Sequence, residues 1–577
     1  MKSFLLSSEP LGDRGDVVRE ALAHRAQHHA ISATSSCYEW LIAGEDDGER
    51  AFTTRPGCHW RAHVFSQRPL RETRLFAHEI ETKLGEASPG QAMQRLTELL
   101  RPHEEESAWV IVNALEGAVI VSRDPLGLCP IYLWEHAGSL VITNTYLALA
   151  PWLKQATSDP VSLAEMAVSS FPADRTRTAW NELRRLEPGG IFLWQAGNSR
   201  GQRWWNYETP ELQALDWPEA IAEYRARMSR AVEARLDALP TILELSGGVD
   251  SSGIAAVATL SQRGRPHYAA TWYDGAPEHD LELPLAEETT RRLRLEHWAL
   301  DLNRADTHLP PAPWGAFVSR GIAERAPSGV HVVLSGHGGD PLSRVTRGDI
   351  DRVFRELGLR DLKQAHRMQR LLHGHGPPLF LRHRILGNRM ERTSADRRLP
   401  WIVPELHDAL RARKHAETME HRAWSGRRAM TELPMWSTVF EISDPGFTGE
   451  TLRWRFPYFD LELIRFMDSL PAFPFLLNKK LAREAWRERL PERVVDRPKT
   501  LAADQSARLP SAEEVERWMA SSTARALDGT VLAFPALRRL AKSPADFPRW
   551  SQISARNAFQ LLRWFSDSER APFAGSP

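Results

Sequence analysis

One stretch constrains what this chain can fold into: Leu243-Glu-Leu-Ser-Gly-Gly-Val-Asp-Ser-Ser-Gly-Ile254. Strand-forming residues (Thr241, Ile242, Leu243, Leu245) lead into it, and Ile254-Ala-Ala-Val-Ala-Thr-Leu260 beyond it reads as a buried helix. Between them, Ser246-Gly247-Gly248-Val249-Asp250-Ser251-Ser252 is a strand-to-helix turn. Glycines there let successive backbone N–H groups converge on an anion, and the helix start adds its positive dipole end. The hydroxyls of Ser246, Ser251 and Ser252 supply further donors to phosphate oxygens. Asp250 repels a bare phosphate, so its natural role is to hold a Mg²⁺ that bridges to the phosphates. The turn lacks the Gly-Lys-Ser/Thr ending of the usual P-loop and is therefore a different cradle. A serine-rich helix cap alone would leave Asp250 unexplained.

At 577 residues the chain exceeds one ordinary core, so two or more domains are expected. Lys plus Arg number 74 and Asp plus Glu 74, a balance that argues against nucleic acid held by bulk charge. The three cysteines, Cys37, Cys58 and Cys129, form neither a disulfide framework nor a CxxC metal site. No apolar run is long enough to span a membrane, and a soluble cytoplasmic protein is expected.

In the first part, Ala108–Val112, Gly117–Val121, Ile131–Trp134 and Ser139–Thr143 are short strand-like runs joined by turns such as Arg123-Asp-Pro-Leu-Gly127. That spacing predicts antiparallel sheet packed with helices. Beyond residue 212, Asp216 and Glu219 form a capping box for a helix carrying Ile221, Tyr224, Met228 and Val232. Strands are predicted at His267–Trp272, His297–Asp301 and Val330–Ser335, with a helix at Leu285–Leu293. The alternation is that of a parallel sheet, whose ligands bind at the carboxyl ends of strands. After the last of these strands comes Ser335-Gly-His-Gly-Gly-Asp340, in which Asp340 is the natural second Mg²⁺ ligand. Residues 351 to 428, richer in basic than acidic residues, read either as solvated helices or as a surface for a peptide.

The serine–glycine turn resembles the pyrophosphate loop of the ATP pyrophosphatases, which include the asparagine-synthetase-like amide-forming enzymes. The likeness extends to the Arg123–Gly127 turn, to Leu186-Glu-Pro-Gly-Gly190 with the strand after it, and to Arg455-Phe-Pro-Tyr-Phe-Asp460, Lys479-Lys-Leu-Ala-Arg483 and Leu490–Thr500. It implies an α/β chain in two parts: an N-terminal α+β glutaminase-like (Ntn-type) sandwich at 1–211, and a parallel-sheet ATP-pyrophosphatase domain of the adenine nucleotide alpha hydrolase-like kind at 212–577. ATP and Mg²⁺ are the implied cofactors, with Leu245, Ala270, Ser335 and Gly336 lining the nucleotide. The family's glutaminase needs a cysteine directly after the initiator methionine. Lys2 stands there, which implies that ammonia from glutamine is not the nucleophile.

By the same likeness Lys499 meets the phosphates and the reacting carbonyl. His337 stands where relatives place a residue near the reacting groups, and it suits proton removal near neutrality; a histidine merely bonded inside a glycine turn is the alternative. Glu441 matches the orienting glutamate of β-lactam-forming relatives, or else is structural and paired with Arg453 or Arg455. Arg453 itself stands where asparagine synthetases carry an acidic residue. Glu441-Ile-Ser-Asp-Pro-Gly-Phe-Thr-Gly449 and the Arg-Pro-Lys-Thr500 ending look most like lasso-peptide cyclases. That resemblance implies an AMP-forming macrolactam synthetase of ribosomally made peptides. It would join an Asp or Glu side chain of a precursor core peptide to that peptide's N-terminal amine, with a leader-peptide protease and a leader-binding protein as partners. A small-molecule amide former (a β-lactam synthetase or an ammonia-using asparagine synthetase) and a non-catalytic ATP-binding scaffold are the alternatives.

Overall fold

Strand Ser107–Asn113 is buried along its whole length, and its residues alternate between two cores. Val110 and Val112 enter one, Trp109 and Ile111 the other, which requires a sheet covered on both sides. The computed structural model describes residues 3–568 except 27–29, 35–38, 44–58, 67–70, 105, 170–173, 237–238, 274–281, 302–313, 328–331, 344, 347–348, 350–351, 353–397, 422–423, 451 and 498–508. Lys2, Lys499 and most of the basic stretch in 351–428 thus lie outside the described residues.

Two antiparallel sheets stack in the N-terminal part. One runs Ala30–Thr34, Glu39–Ala43, Ser3–Ser7, Ser139–Thr143, Tyr132–His136, Leu183–Arg185. The other runs Asn198–Arg203, Gly190–Gln195, Ala118–Ser122, Ser107–Asn113, Arg61–Ser66. Phe4, Phe65, Val121, Leu133 and Ile142 fill the space between them. Helix Gly15–Ala26 covers the first sheet through Val18 and Leu22, and helices Arg71–Leu84 and Pro89–Leu100 cover the second through Ile80 and Leu96. The layers are helix, sheet, sheet, helix. Arg123 is fully buried and donates to the carbonyls of Cys129, Leu186 and Gly127, so the Arg-Asp-x-x-Gly turn is a structural clasp. Cys129 is buried in the same core.

The C-terminal part is built on five strands, all paired in parallel, in the order Glu296–Asp301, His267–Tyr273, Thr241–Glu244, Val332–Leu334, Arg453–Arg455. The first strand in the chain is central. Helix Trp217–Glu233 has the expected capping box of Asp216 and Glu219. The fifth strand, Arg453–Arg455, is absent from the sequence reading because three residues with two arginines show no apolar alternation. A separate helical core forms where Pro160–Val168 meets Ala512–Met519, Phe534–Lys542 and Arg549–Ser568.

The two parts are welded together. One apolar cluster runs from Trp60 and Leu96 through Trp204 and Tyr207 to Ile242 and Trp486. Buried charges cross the same junction: Arg185 with Glu441, Arg175 and Arg203 with Glu432, and Arg235 with Glu106. Burial opposes the charge on Glu432, but Arg203 and Arg175 more than offset it and hold the carboxyl below its ordinary value. Glu441 is the notable case. Its two oxygens accept from Arg185 Nε at 2.7 and 2.8 Å, so its partner is an arginine of the N-terminal sheet rather than Arg453 or Arg455. That pairing places Glu441 at the junction of the two parts. Removing one partner of a buried pair costs about 3–5 kcal/mol. Glu441→Ala should therefore lower unfolding stability in denaturant by that order, and Arg185→Ala with Glu441→Ala should cost less than the two single losses summed. Full stability in Glu441→Ala would show that the pair does not hold the junction.

Candidate active site

The chain leaves the central strand Thr241–Glu244 for two strands on one side, then crosses to Val332–Leu334 on the other. In open parallel sheets that reversal opens a crevice at the carboxyl ends of the strands. Both predicted loops emerge there, and short ladder extensions hold them. Leu245 N–H donates to Ala270 O at 2.8 Å, and Ser335 N–H donates to Arg455 O at 3.0 Å.

Gly248 caps helix Val249–Ala258, and the Ser246 N–H donates to Ser251 Oγ at 3.1 Å. Gly247 has φ +67°, and a Cβ there would sit 2.5 Å from Glu282 O, so only glycine fits. Ser252 Oγ is buried without a partner among the described residues, an orphaned hydroxyl on the first turn of the helix. Gly336 lies against Ser251. A Cβ on Gly339 would come within 2.5 Å of Asp250 Cγ, which shows how closely the second loop presses on the first. Tyr458 donates to the Asp250 carbonyl at 3.0 Å and fixes that residue's backbone.

Asp250 and Asp340 converge as expected, and what joins them is Lys479, whose ammonium contacts both carboxylates. Burial works against the charge on Lys479, but Asp250 and then Asp340 more than offset it, holding the amine above the ordinary lysine value. Lys479 precedes helix Lys480–Trp486 in a left-handed conformation, φ +58°, which aims it across the crevice. One turn further, Arg483 Nε donates to Asn478 O at 2.7 Å. Burial draws its guanidinium below the ordinary value, against the opposing pull of Asp250.

No role follows for Lys479 from the sequence reading, although the ordered likeness passes through it. Its one clue is a lysine set among Phe475, Leu476, Leu477 and Leu481, all buried. A cation in such a run needs an anionic partner.

His337 stands beside this cluster. Its Nδ1 is 2.6 Å from Ser335 Oγ and 3.8 Å from Glu244, and its ring meets Phe456 edge-on at 6.2 Å.

The donor set fits a Mg²⁺. Two carboxylates from separate loops already share one cation, the Lys479 ammonium. Among the described residues no group of three or more His, Cys, Asp or Glu side chains could hold a metal. The remaining ligands would therefore be phosphate oxygens and water, which is that ion's habit in nucleotide sites.

Residues 223–566 match the asparagine synthase family. The chain belongs to that family. It is accordingly an ATP-dependent carbon–nitrogen ligase. No curated protein matches the chain. Among solved structures it is similar to the allosteric regulatory enzyme of purine biosynthesis (12% identical, covering 54% of this chain and 81% of that one, TM-score 0.27). It is also similar to glutamine phosphoribosylpyrophosphate amidotransferase from B. subtilis complexed with ADP and GMP (11% identical, 61% and 77% covered, TM-score 0.24). Both likenesses are distant. No helix among the described residues is long and apolar enough to cross a membrane.

If Lys479 and a metal compete for the same carboxylates, Lys479→Met should bind Mg²⁺ alone more tightly than the parent. It should bind Mg-pyrophosphate about tenfold more weakly or worse, the cost of one charge-assisted contact. Calorimetric titration of each decides, and unchanged affinity for both would remove Lys479 from the site.

Proposed function

We propose that this asparagine synthase family member is a lasso-peptide macrolactam synthetase, which activates an Asp or Glu side chain of a leader-cleaved core peptide with ATP and closes it onto the N-terminal amine. The observation that carries an amide-forming reading is the junction of a phosphate loop, an Asp250–Lys479–Asp340 charge cluster and a histidine at one crevice. The peptide substrate is favoured by the sequence likeness at Glu441–Gly449 and Arg497–Thr500. The precursor, its protease and its leader-binding protein follow from the same likeness.

In this reading the substrate carboxylate attacks the α-phosphorus, the bond to the β-phosphate breaks, and pyrophosphate departs into the Ser246–Ser252 turn. Mg²⁺, when bound by Asp250 and Asp340, supplies neutralisation of phosphate charge. Lys479 and the helix N-terminus stabilise the departing pyrophosphate. The peptide amine arrives as an ammonium ion, and His337 takes its proton. The amine then forms the C–N bond, the nitrogen's second proton passes to the departing AMP phosphate, and the C–O bond to AMP breaks with its electron pair. Lys499 is assigned to the oxyanion of the tetrahedral adduct, a contact whose loss typically costs about 10²–10³ in rate.

Candidate core peptides incubated with the enzyme, Mg-ATP and the partner protease should lose one water, and fragmentation should place a bond between the N-terminus and an acidic side chain. Lys499→Ala should lower that product about 10²–10³-fold. Amide formation confined to small amino acids or ammonia would favour a small-molecule enzyme instead, and no turnover with any amine would leave an ATP-binding scaffold.

A further inference from the structure

Glu244 ends the central strand, and the sequence reading gave it no role. Its side chain is buried between two neighbouring strands. From one side Trp272 Nε1–H donates to Oε1 at 3.3 Å, and from the other Ser335 Oγ–H donates to Oε2 at 2.5 Å. Parallel register explains the second contact. Leu243 pairs with Leu334, so the next residues, Glu244 and Ser335, emerge together at the carboxyl edge.

Ser335 is the pivot. A hydroxyl has one proton to give and two lone pairs to receive with. Its proton goes to Glu244. Its lone pairs face the His337 backbone N–H at 3.2 Å and His337 Nδ1 at 2.6 Å. With the hydroxyl proton committed, the only bond possible at 2.6 Å has Nδ1–H as donor. Neutral His337 then carries its proton on Nδ1 and its basic lone pair on Nε2.

We propose that Glu244 is a positioning residue that acts through Ser335 to set the tautomer of His337, so that Nε2 takes the proton of the incoming amine. This deepens the proposed function and rests on its assignment of His337 as base. The transfer is simple: one N–H bond of the ammonium breaks, one N–H bond forms at Nε2, and the freed electron pair attacks the acyl carbon. The imidazolium so formed lies 3.8 Å from the Glu244 carboxylate, which stabilises the new charge.

Glu244→Gln tests this with almost no change of shape. Trp272 Nε1–H can only donate, so the amide oxygen must face it and the amide NH₂ must face Ser335. Ser335 then accepts from the amide and turns its own proton towards Nδ1, forcing the histidine proton onto Nε2. The readout that needs no substrate is the ring-nitrogen NMR spectrum of ¹⁵N-histidine-labelled enzyme, with the His337 signals identified by their loss in His337→Gln. The wild type should show the protonated nitrogen as Nδ1, and Glu244→Gln should show it as Nε2. In Glu244→Gln with Trp272→Phe the amide can turn round, and Nδ1–H should return.

The activity arm follows the peptide and hydroxylamine side by side. Hydroxylamine is unprotonated near neutrality and needs no base, so its capture of the acyl-adenylate as a hydroxamate should persist in Glu244→Gln. Cyclisation should fall by about 10²–10⁴, the usual contribution of a general base. Nδ1–H persisting in Glu244→Gln, or equal loss of hydroxamate and cyclic product, would overturn the proposal. A wild-type enzyme that activates no peptide would defeat the proposed function, while the NMR result would still decide the role of Glu244.

Discussion

Two carboxylates that share one cation organise the catalytic end of this protein. Asp250 belongs to the turn after the central strand and Asp340 to the turn after its neighbour, so like charges from separate loops are driven together by the fold. Left alone they would repel; the Lys479 ammonium makes the arrangement tolerable. The rest of the crevice serves this point. Gly339 lets the second loop approach Asp250, Tyr458 holds the Asp250 backbone, and the helix before residue 490 delivers the lysine. A site that already balances two negative charges with one positive one is prepared for the larger charge exchange of Mg²⁺ and pyrophosphate.

A second theme is rigidity at the junction. Arg185 and Arg203 reach from the N-terminal sheets, and Arg175 from the loop before Leu183–Arg185, to Glu441 and Glu432, and a single apolar cluster continues across the same surface. The sandwich therefore acts as a foundation for the segment 426–449, from which the fifth strand and the Phe456–Phe459 wall of the crevice follow.

Much of this was legible in the sequence, for identifiable reasons. Strands such as Ser139–Thr143 carry unbroken apolar runs bounded by turns, and Asp250 and Asp340 sit in glycine turns whose chemistry leaves few other uses. What escaped notice depends on distant partners. Glu441 is placed by Arg185, 256 residues away, and no local pattern distinguishes a junction carboxylate from an orienting one. Lys479 is 229 residues from Asp250, and its aim comes from a left-handed backbone that sequence does not display. Glu244 reads as one polar residue in a strand until the neighbouring strands bring Trp272 and Ser335 to it.

The central claim is that this crevice splits ATP between its α- and β-phosphates while holding the pyrophosphate. Chromatography of the nucleotide products from purified enzyme turning over an amide-forming substrate measures this directly. AMP and pyrophosphate in equal amounts, in step with amide, is the result this account predicts. ADP and inorganic phosphate would contradict it.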